Sequence, residues 1–220
     1  MVLSLIRLGI QALSALVASL NQVETYEKEE HMTRFKSEQS EKDAVMIVAK
    51  LMATSARTAP KGRGVDAIET LIIDGGDLEG LAASMEQKAG KKSPYLSSVL
   101  RRDATNVRNS SCVLLIGVTG NPKKIEEPLD CGACGYDKCE RLVKVEKRTR
   151  DFSGPICIFQ AMDLGIALGS AVKLADELNV DNRMMYTIGI AAKNLQLLDS
   201  DVIIGIPLSV TGKNPYFDRK

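Results

Sequence analysis

Cys112-Val113-Leu114-Leu115-Ile116-Gly117-Val118 is a run of apolar residues with no polar alternation. Its length suits a strand rather than a helix, and its continuity predicts a central strand covered on both faces. Cys112 reads there as a buried small hydrophobe rather than a ligand. Outward from this run, Ala67 to Ile73 is a second strand ended by Asp74-Gly75-Gly76. Val202 to Ile206 is a third, stopped by Pro207. Helical spacing predicts Ala44–Ala56, with Val45, Val48, Leu51 and Met52 on one side and Pro60 beyond its end. Further helices are expected from an Asp77 cap to about Lys88, over Tyr95–Val107, and over Met184–Leu197. Ile156–Leu178 is the longest apolar helix, and its small residues Ala161, Gly165 and Gly169 suit close packing or a dimer contact. A few apolar strands separated by long helices imply an α+β or α/β domain in three layers.

The interval between the central strand and the long helix carries the chemistry. Cys131-Gly132-Ala133-Cys134-Gly135-Tyr136-Asp137-Lys138-Cys139 puts three thiols in nine residues, and Cys157 follows, giving C-x2-C-x4-C-x17-C. Such a set holds an iron–sulfur cluster, holds zinc, or forms disulfides or a redox dithiol. Gly132 and Gly135 each follow a cysteine, where a loop wrapping a cluster must bend. Structural zinc more often uses two C-x2-C knuckles or histidine, and the single histidine, His31, is remote. The spacing therefore favours a [4Fe–4S] cluster on Cys131, Cys134, Cys139 and Cys157 and leaves zinc open. From Lys138 to Arg150 the sequence is strongly basic and predicts a helix, either simply solvated or steering an acidic electron carrier.

Arg57-Thr58-Ala59-Pro60-Lys61-Gly62-Arg63-Gly64 is a basic, Gly-containing loop. It is either an ordinary solvated loop or an anion clamp, with Arg57, Lys61, Arg63 and the distant Lys213 as phosphate candidates.

Composition narrows the classes. Lys+Arg 29 against Asp+Glu 28 gives a net charge of +1, and tryptophan is absent, so nucleic-acid binding is not expected. Five cysteines in an ordinary composition fit a reducing cytoplasm. No paired-carboxylate site, serine triad or P-loop is found. Val2 to Leu20 predicts an amphipathic helix, with Ser4, Arg7, Gln11, Ser14 and Ala18 as a weakly polar stripe. It packs on the domain or a second subunit, touches a membrane peripherally, or precedes a start at Met32. Glu24 to Lys42 reads as a solvated helix end and linker.

The cysteine loop resembles the four-cysteine iron–sulfur module of electron-transfer complexes such as the Rnf-type B subunit. A longer series follows in order: Ser55-Ala56-Arg57-Thr58-Ala59-Pro60-Lys61, Arg102-Asp103-Ala104, the cysteine loop, Asn179-Val180-Asp181-Asn182-Arg183, and Gly212-Lys213-Asn214 with Tyr216-Phe217-Asp218-Arg219. Over residues 40–220 that series resembles a prokaryotic family of uncharacterised ferredoxin-domain proteins. It implies a cluster and names no reaction. The order of elements is similar to the FMN-dependent nitroreductase fold, which implies an α+β three-layer domain over residues 41–220, a cysteine insert at about 128–157, a homodimer and a possible FMN. The N-terminal Arg-Arg-Ser-type phosphate motif of nitroreductases has no counterpart here. Two functions follow: electron transfer through the cluster, with or without flavin and with a redox partner protein, or a binding or sensor module whose cysteines hold a structural metal.

Overall fold

The central strand lies where the apolar run predicts it. A computed structural model describes residues 34–217, and the predicted N-terminal helix at Val2–Leu20 lies outside them. Strand β1 (Ile68–Asp74) and strand β2 (Cys112–Val118) pair antiparallel, joined by helices α2 (Asp77–Ala89) and α3 (Pro94–Arg108). Helix α1 (Ser37–Thr58) precedes them. After β2 come the short helix α4 (Cys139–Lys144), a hairpin of β3 (Arg148–Thr149) and β4 (Ser153–Gly154), and helix α5 (Ile158–Glu177). The chain closes with β5 (Asp181–Asn182), α6 (Tyr186–Asn194) and β6 (Val202–Ser209). The main sheet has the order β1-β2-β6-β5 and every pairing in it is antiparallel.

Strand periodicity divides the core in two. Cys112, Leu114, Ile116 and Val118 face α1 and α5, together with Ile206 and Leu208 of β6. Val113 and Leu115 face α2, α3 and α6, together with Ile203. All seven residues of β2 are buried, the condition a strand meets only with helices on both sides. The fold is thus α+β in three layers.

Helix α1 buries Val45, Val48, Ala49, Met52 and Ala56, a stripe at helical spacing. It starts at Ser37, seven residues before the expected Ala44, because the exposed first turns carry no apolar signal. Ser93 caps α3 by accepting a hydrogen bond from Leu96 N, with Pro94 in the first turn. At α2 the expected Asp77 cap is instead a first-turn residue behind Gly76, where its charge still complements the helix dipole.

Pro207 does not stop β6, which continues to Ser209 with Pro207 opposite Val113. Gly205 N donates to Met185 O at 3.2 Å, away from β2. By the two-residue alternation, Pro207 N points to that same side, where the β5 ladder is interrupted between Asn182 and Met185. No bond to β2 is lost. The same Met185–Gly205 bridge delays α6 to Tyr186, two residues after its expected start.

Burial, with Asp74 nearby, pushes the Cys112 thiol up to about 12 from its ordinary 9.0. The folded state keeps the proton, so this contribution to stability is complete below pH 9 and is lost as pH rises towards 12. In metal-free native protein, iodoacetamide at pH 8 is expected to leave Cys112 unmodified while labelling Cys131. Peptide mass spectrometry with and without denaturant checks this, and modification of native Cys112 at the Cys131 rate would contradict it.

Candidate metal centre

Residues 119–157 leave the sheet after β2 and return to it at α5. Within residues 121–150 only Lys123 and Leu142 are buried, so this excursion has almost no core of its own. Polar fastenings hold it instead. Asp201, just before β6, accepts Gly120 N at 2.6 Å on the outgoing side and Lys147 Nζ at 2.5 Å on the returning side. Its carbonyl accepts Ser153 N at 2.9 Å. Lys92 and Tyr186 both donate to Asp151, and the Tyr186 ring meets Phe152 edge-on at 5.3 Å. Burial and the Asp151 hydrogen bond push the Tyr186 phenol up to about 12.

Asp201→Ala removes the acceptor that joins both arms. The expected cost is about 2–3 kcal/mol, from lost hydrogen bonds to a charged group, with faster protease cleavage inside residues 121–150. Denaturant titration and timed proteolysis read these directly, and an unaltered cleavage rate would contradict the fastening role.

The predicted basic helix over Lys138–Arg150 is shorter than expected: α4 ends at Lys144 and β3 follows. The charged Lys144-Val145-Glu146-Lys147 segment has too little apolar surface to hold a helix to the domain, and Lys147 is drawn into Asp201. Salt bridges Asp137–Arg141 and Glu140–Lys144 support the one and a half turns that remain.

Cys131, Cys134, Cys139 and Cys157 are all free thiols. Cys131 is exposed, Cys134 and Cys139 are half-buried, and Cys157 is buried. Gly132 and Gly135 take φ of 74° and 90°, so each bend after a cysteine is in the left-handed region that other residues avoid. Asp130 Oδ1 accepts Cys139 N at 2.7 Å and closes the loop at its two ends. Cys157 sits at the N-cap of the long helix α5, with its own N–H given to Gly120 O at 2.8 Å. A negatively charged sulfur or cluster is favoured at that helix end. A cleft of about 790 Å³ lies between the loop (Cys134, Gly135, Tyr136) and the returning chain (Val145, Glu146, Arg148, Gly154, Pro155).

Among the described residues, no three cysteine, histidine, aspartate or glutamate side chains stand close enough to share a metal ion. The four thiols as placed do not converge, so sharing one metal group would require them to be drawn together. The donor set itself suits the group: four free thiols, flexible glycine bends and no disulfide among the described residues.

The basic loop lies beside the base of the excursion. Arg57 donates to Ile68 O and pairs with Asp66 at 3.0 Å. Lys61 donates to Ala56 O at 2.9 Å and to Arg57 O, closing the C-terminal end of α1. Burial pushes the Lys61 ammonium below its ordinary value, with Asp66 opposing the shift. Arg63 donates to Glu127 O and pairs with the Glu127 carboxylate at 3.0 Å. Lys213 belongs to the separate C-terminal segment, whose Asn214 and Phe217 line another cleft with Asp181. The structure thus gathers Arg57, Lys61 and Arg63 around the 57–66 loop, each with a carboxylate or carbonyl partner.

Sequence reasoning did not pick out Lys123 and Asp163. Both are buried, and Lys123 donates to Asp163 Oδ2 and to Val65 O at 2.8 Å. Asp163 Oδ1 accepts Gly62 N at 2.9 Å. The pair joins the basic loop, the start of the cysteine excursion and α5. Asp130 and Asp201 were also missed. The signal for all four is a charged residue in an otherwise buried or loop-closing setting, visible only once distant segments meet.

The chain matches, at residues 153–219, the model of a family described as uncharacterized proteins containing a ferredoxin domain. That match includes Cys157 but stops short of the three-cysteine loop. An uncharacterized protein of Archaeoglobus fulgidus is 47% identical over 178 residues, covering 80% of this chain and 92% of that protein. Among solved structures, a nitroreductase-like family protein from Bacillus cereus gives a TM-score of 0.48 at 8% identity, covering 86% of this chain and 93% of that one. The NADPH:FMN oxidoreductase from Vibrio harveyi gives 0.46 at 11% identity, covering 86% of this chain and 65% of that one. A BluB-like flavoprotein from Clostridium difficile gives 0.47 at 15% identity, covering 86% and 87%. On the length and identity shared with the archaeal relative, and on the family model it matches, the chain belongs to the family of uncharacterized proteins containing a ferredoxin domain.

Proposed function

We propose that this protein is an iron–sulfur redox protein of the cytoplasm, with Cys131, Cys134, Cys139 and Cys157 as the ligands of a [4Fe–4S] cluster. One observation carries the reading. The Gly-bent C-x2-C-x4-C loop faces, across a single cleft, the Gly154-Pro155 turn that leads to Cys157 at a helix N-terminus. A bound cluster supplies one-electron chemistry. The chain's part is to hold the loop through Asp130, to fasten the excursion through Asp201 and Asp151, and to leave the cleft open to solvent. Single Cys→Ser changes at the four positions are expected to lose iron, whereas Cys112→Ser retains it. Equal iron in Cys157→Ser and the unaltered protein would remove Cys157 from the ligand set.

Flavin binding is the second part of the proposal, with Arg57, Lys61, Arg63 and Lys213 as phosphate candidates. A phosphate would compete with Asp66 for Arg57 and with Glu127 for Arg63. Titration with FMN tests this: saturable quenching of flavin fluorescence, weakened by Arg63→Gln, supports it, and no quenching confines the function to the thiols.

A structural-metal module is the competing function, favoured by the near absence of buried side chains in residues 121–150. Zinc in place of iron, with loss of the 121–150 fold on chelation, is its signature. A homodimer is proposed through the adjacent outer faces of α1 and α5, where Ile47, Leu51, Met162 and Ile166 are exposed. Met162→Glu/Ile166→Glu is expected to give a monomer by light scattering.

A further inference from the structure

From the cationic stretch at residues 138–150, whose Arg148 lines the cleft beside Cys134, we infer a docking surface for a small acidic electron-carrier protein, an inference that rests on the cluster reading above. Residues 138–150 carry six cations (Lys138, Arg141, Lys144, Lys147, Arg148 and Arg150) against only Glu140 and Glu146. The chain as a whole has a net charge of +1, so this excess is local. Three of the six are engaged: Arg141 with Asp137, Lys144 with Glu140 and Lys147 with Asp201. Lys138, Arg148 and Arg150 are exposed and take part in no ion pair among the described residues. Arg148 also lines the cleft that Cys134 lines.

Apolar side chains accompany these charges. Val143 on α4 and Leu129 before the loop are each 48% exposed. Exposed apolar residues beside charged ones are part of the composition of a transient protein interface, in which charge raises the encounter rate and apolar contact holds the complex. Nucleic acid fits less well. The aromatic nearest the thiols, Tyr136, is half-buried, and a base-stacking platform needs exposed rings. A solvated helix face also fits less well, because the cationic segment is not a continuous helix and Arg148, one of its members without an ion pair, lines the thiol cleft.

The test is calorimetric titration of the full chain with a plant-type [2Fe–2S] ferredoxin, an acidic one-electron carrier, at about 20 mM and about 300 mM sodium chloride. Saturable binding is expected at low salt, weakened about tenfold or more at high salt. Arg148→Glu/Arg150→Glu is expected to weaken it by about tenfold, as is Lys138→Glu before α4, while Lys173→Glu, towards the far end of α5, leaves it unchanged. Circular dichroism of each variant confirms folding, and the two independent sites keep the test valid if one variant unfolds. Absence of binding at low salt would overturn the docking surface. So would equal binding by both charge-reversed variants, or saturable binding of a single-stranded DNA oligonucleotide in place of ferredoxin. Iron is measured on the same preparation. Because the titration reads charge and not electron flow, binding by iron-free protein supports the surface while sinking the cluster, so the two failures are separate.

Discussion

Gly189→Ala is expected to unfold the protein or to lower its stability by about 4 kcal/mol or more, placing it among the exceptional single substitutions. A Cβ at this position would lie 1.7 Å from Ile203 O and 2.6 Å from Ile203 C. Those atoms are main chain in a central strand, fixed by the ladder to β2, so they cannot turn aside as a side-chain tip would. Helix α6 would have to lift off β6, taking Ile188, Ala191 and Ala192 out of the core they share with Ile203. Gly80→Ala is the matched control, since nothing lies within 4 Å of its Cβ. In the helix interior it is expected to stabilise by about 0.5–1 kcal/mol. Denaturant midpoints of the two variants should move in opposite directions.

The second large effect is expected at the buried ion pair. Lys123→Met leaves the Asp163 carboxylate buried with Gly62 N as its one remaining donor among the described residues, at a cost of about 3–5 kcal/mol. The double change Lys123→Met/Asp163→Leu removes the stranded charge and should recover most of that loss. A double-mutant cycle in denaturant therefore shows strong coupling. Additive losses would mean that the two side chains do not act as a pair. The functional consequence is positional: the pair pins Val65, Gly62 and the start of the cysteine excursion to α5, the helix that begins at Cys157.

The elements most legible in the sequence were those whose stability is local or periodic. The unbroken apolar run at Cys112–Val118 has the length of a strand covered on both faces, and the stripe Val45, Val48, Met52 has the spacing of a helix. Lys138–Arg150 misled because charge alone is compatible with a solvated helix, whereas the chain turns where Lys147 meets Asp201. Pro207 misled because its effect depends on which side of the strand its nitrogen faces, and that is set by the Met185–Gly205 bridge.

At the site the thiols announced themselves by spacing, and the bends at Gly132 and Gly135 were expected from their positions after cysteines. The basic loop was equally visible, but its partners were not. Asp66 and Glu127 occupy Arg57 and Arg63, and Glu127 is 64 residues away from Arg63. Pairings of that kind are decided by topology. So is the Lys123–Asp163 contact, which spans 40 residues and gives no trace in either local sequence.

Iron, zinc and acid-labile sulfide counts, taken with a visible spectrum on protein purified without oxygen, decide whether these cysteines hold a cluster. A brown protein with about four irons and four sulfides per chain is the predicted result. A colourless protein carrying one zinc would contradict it and make these cysteines a structural staple.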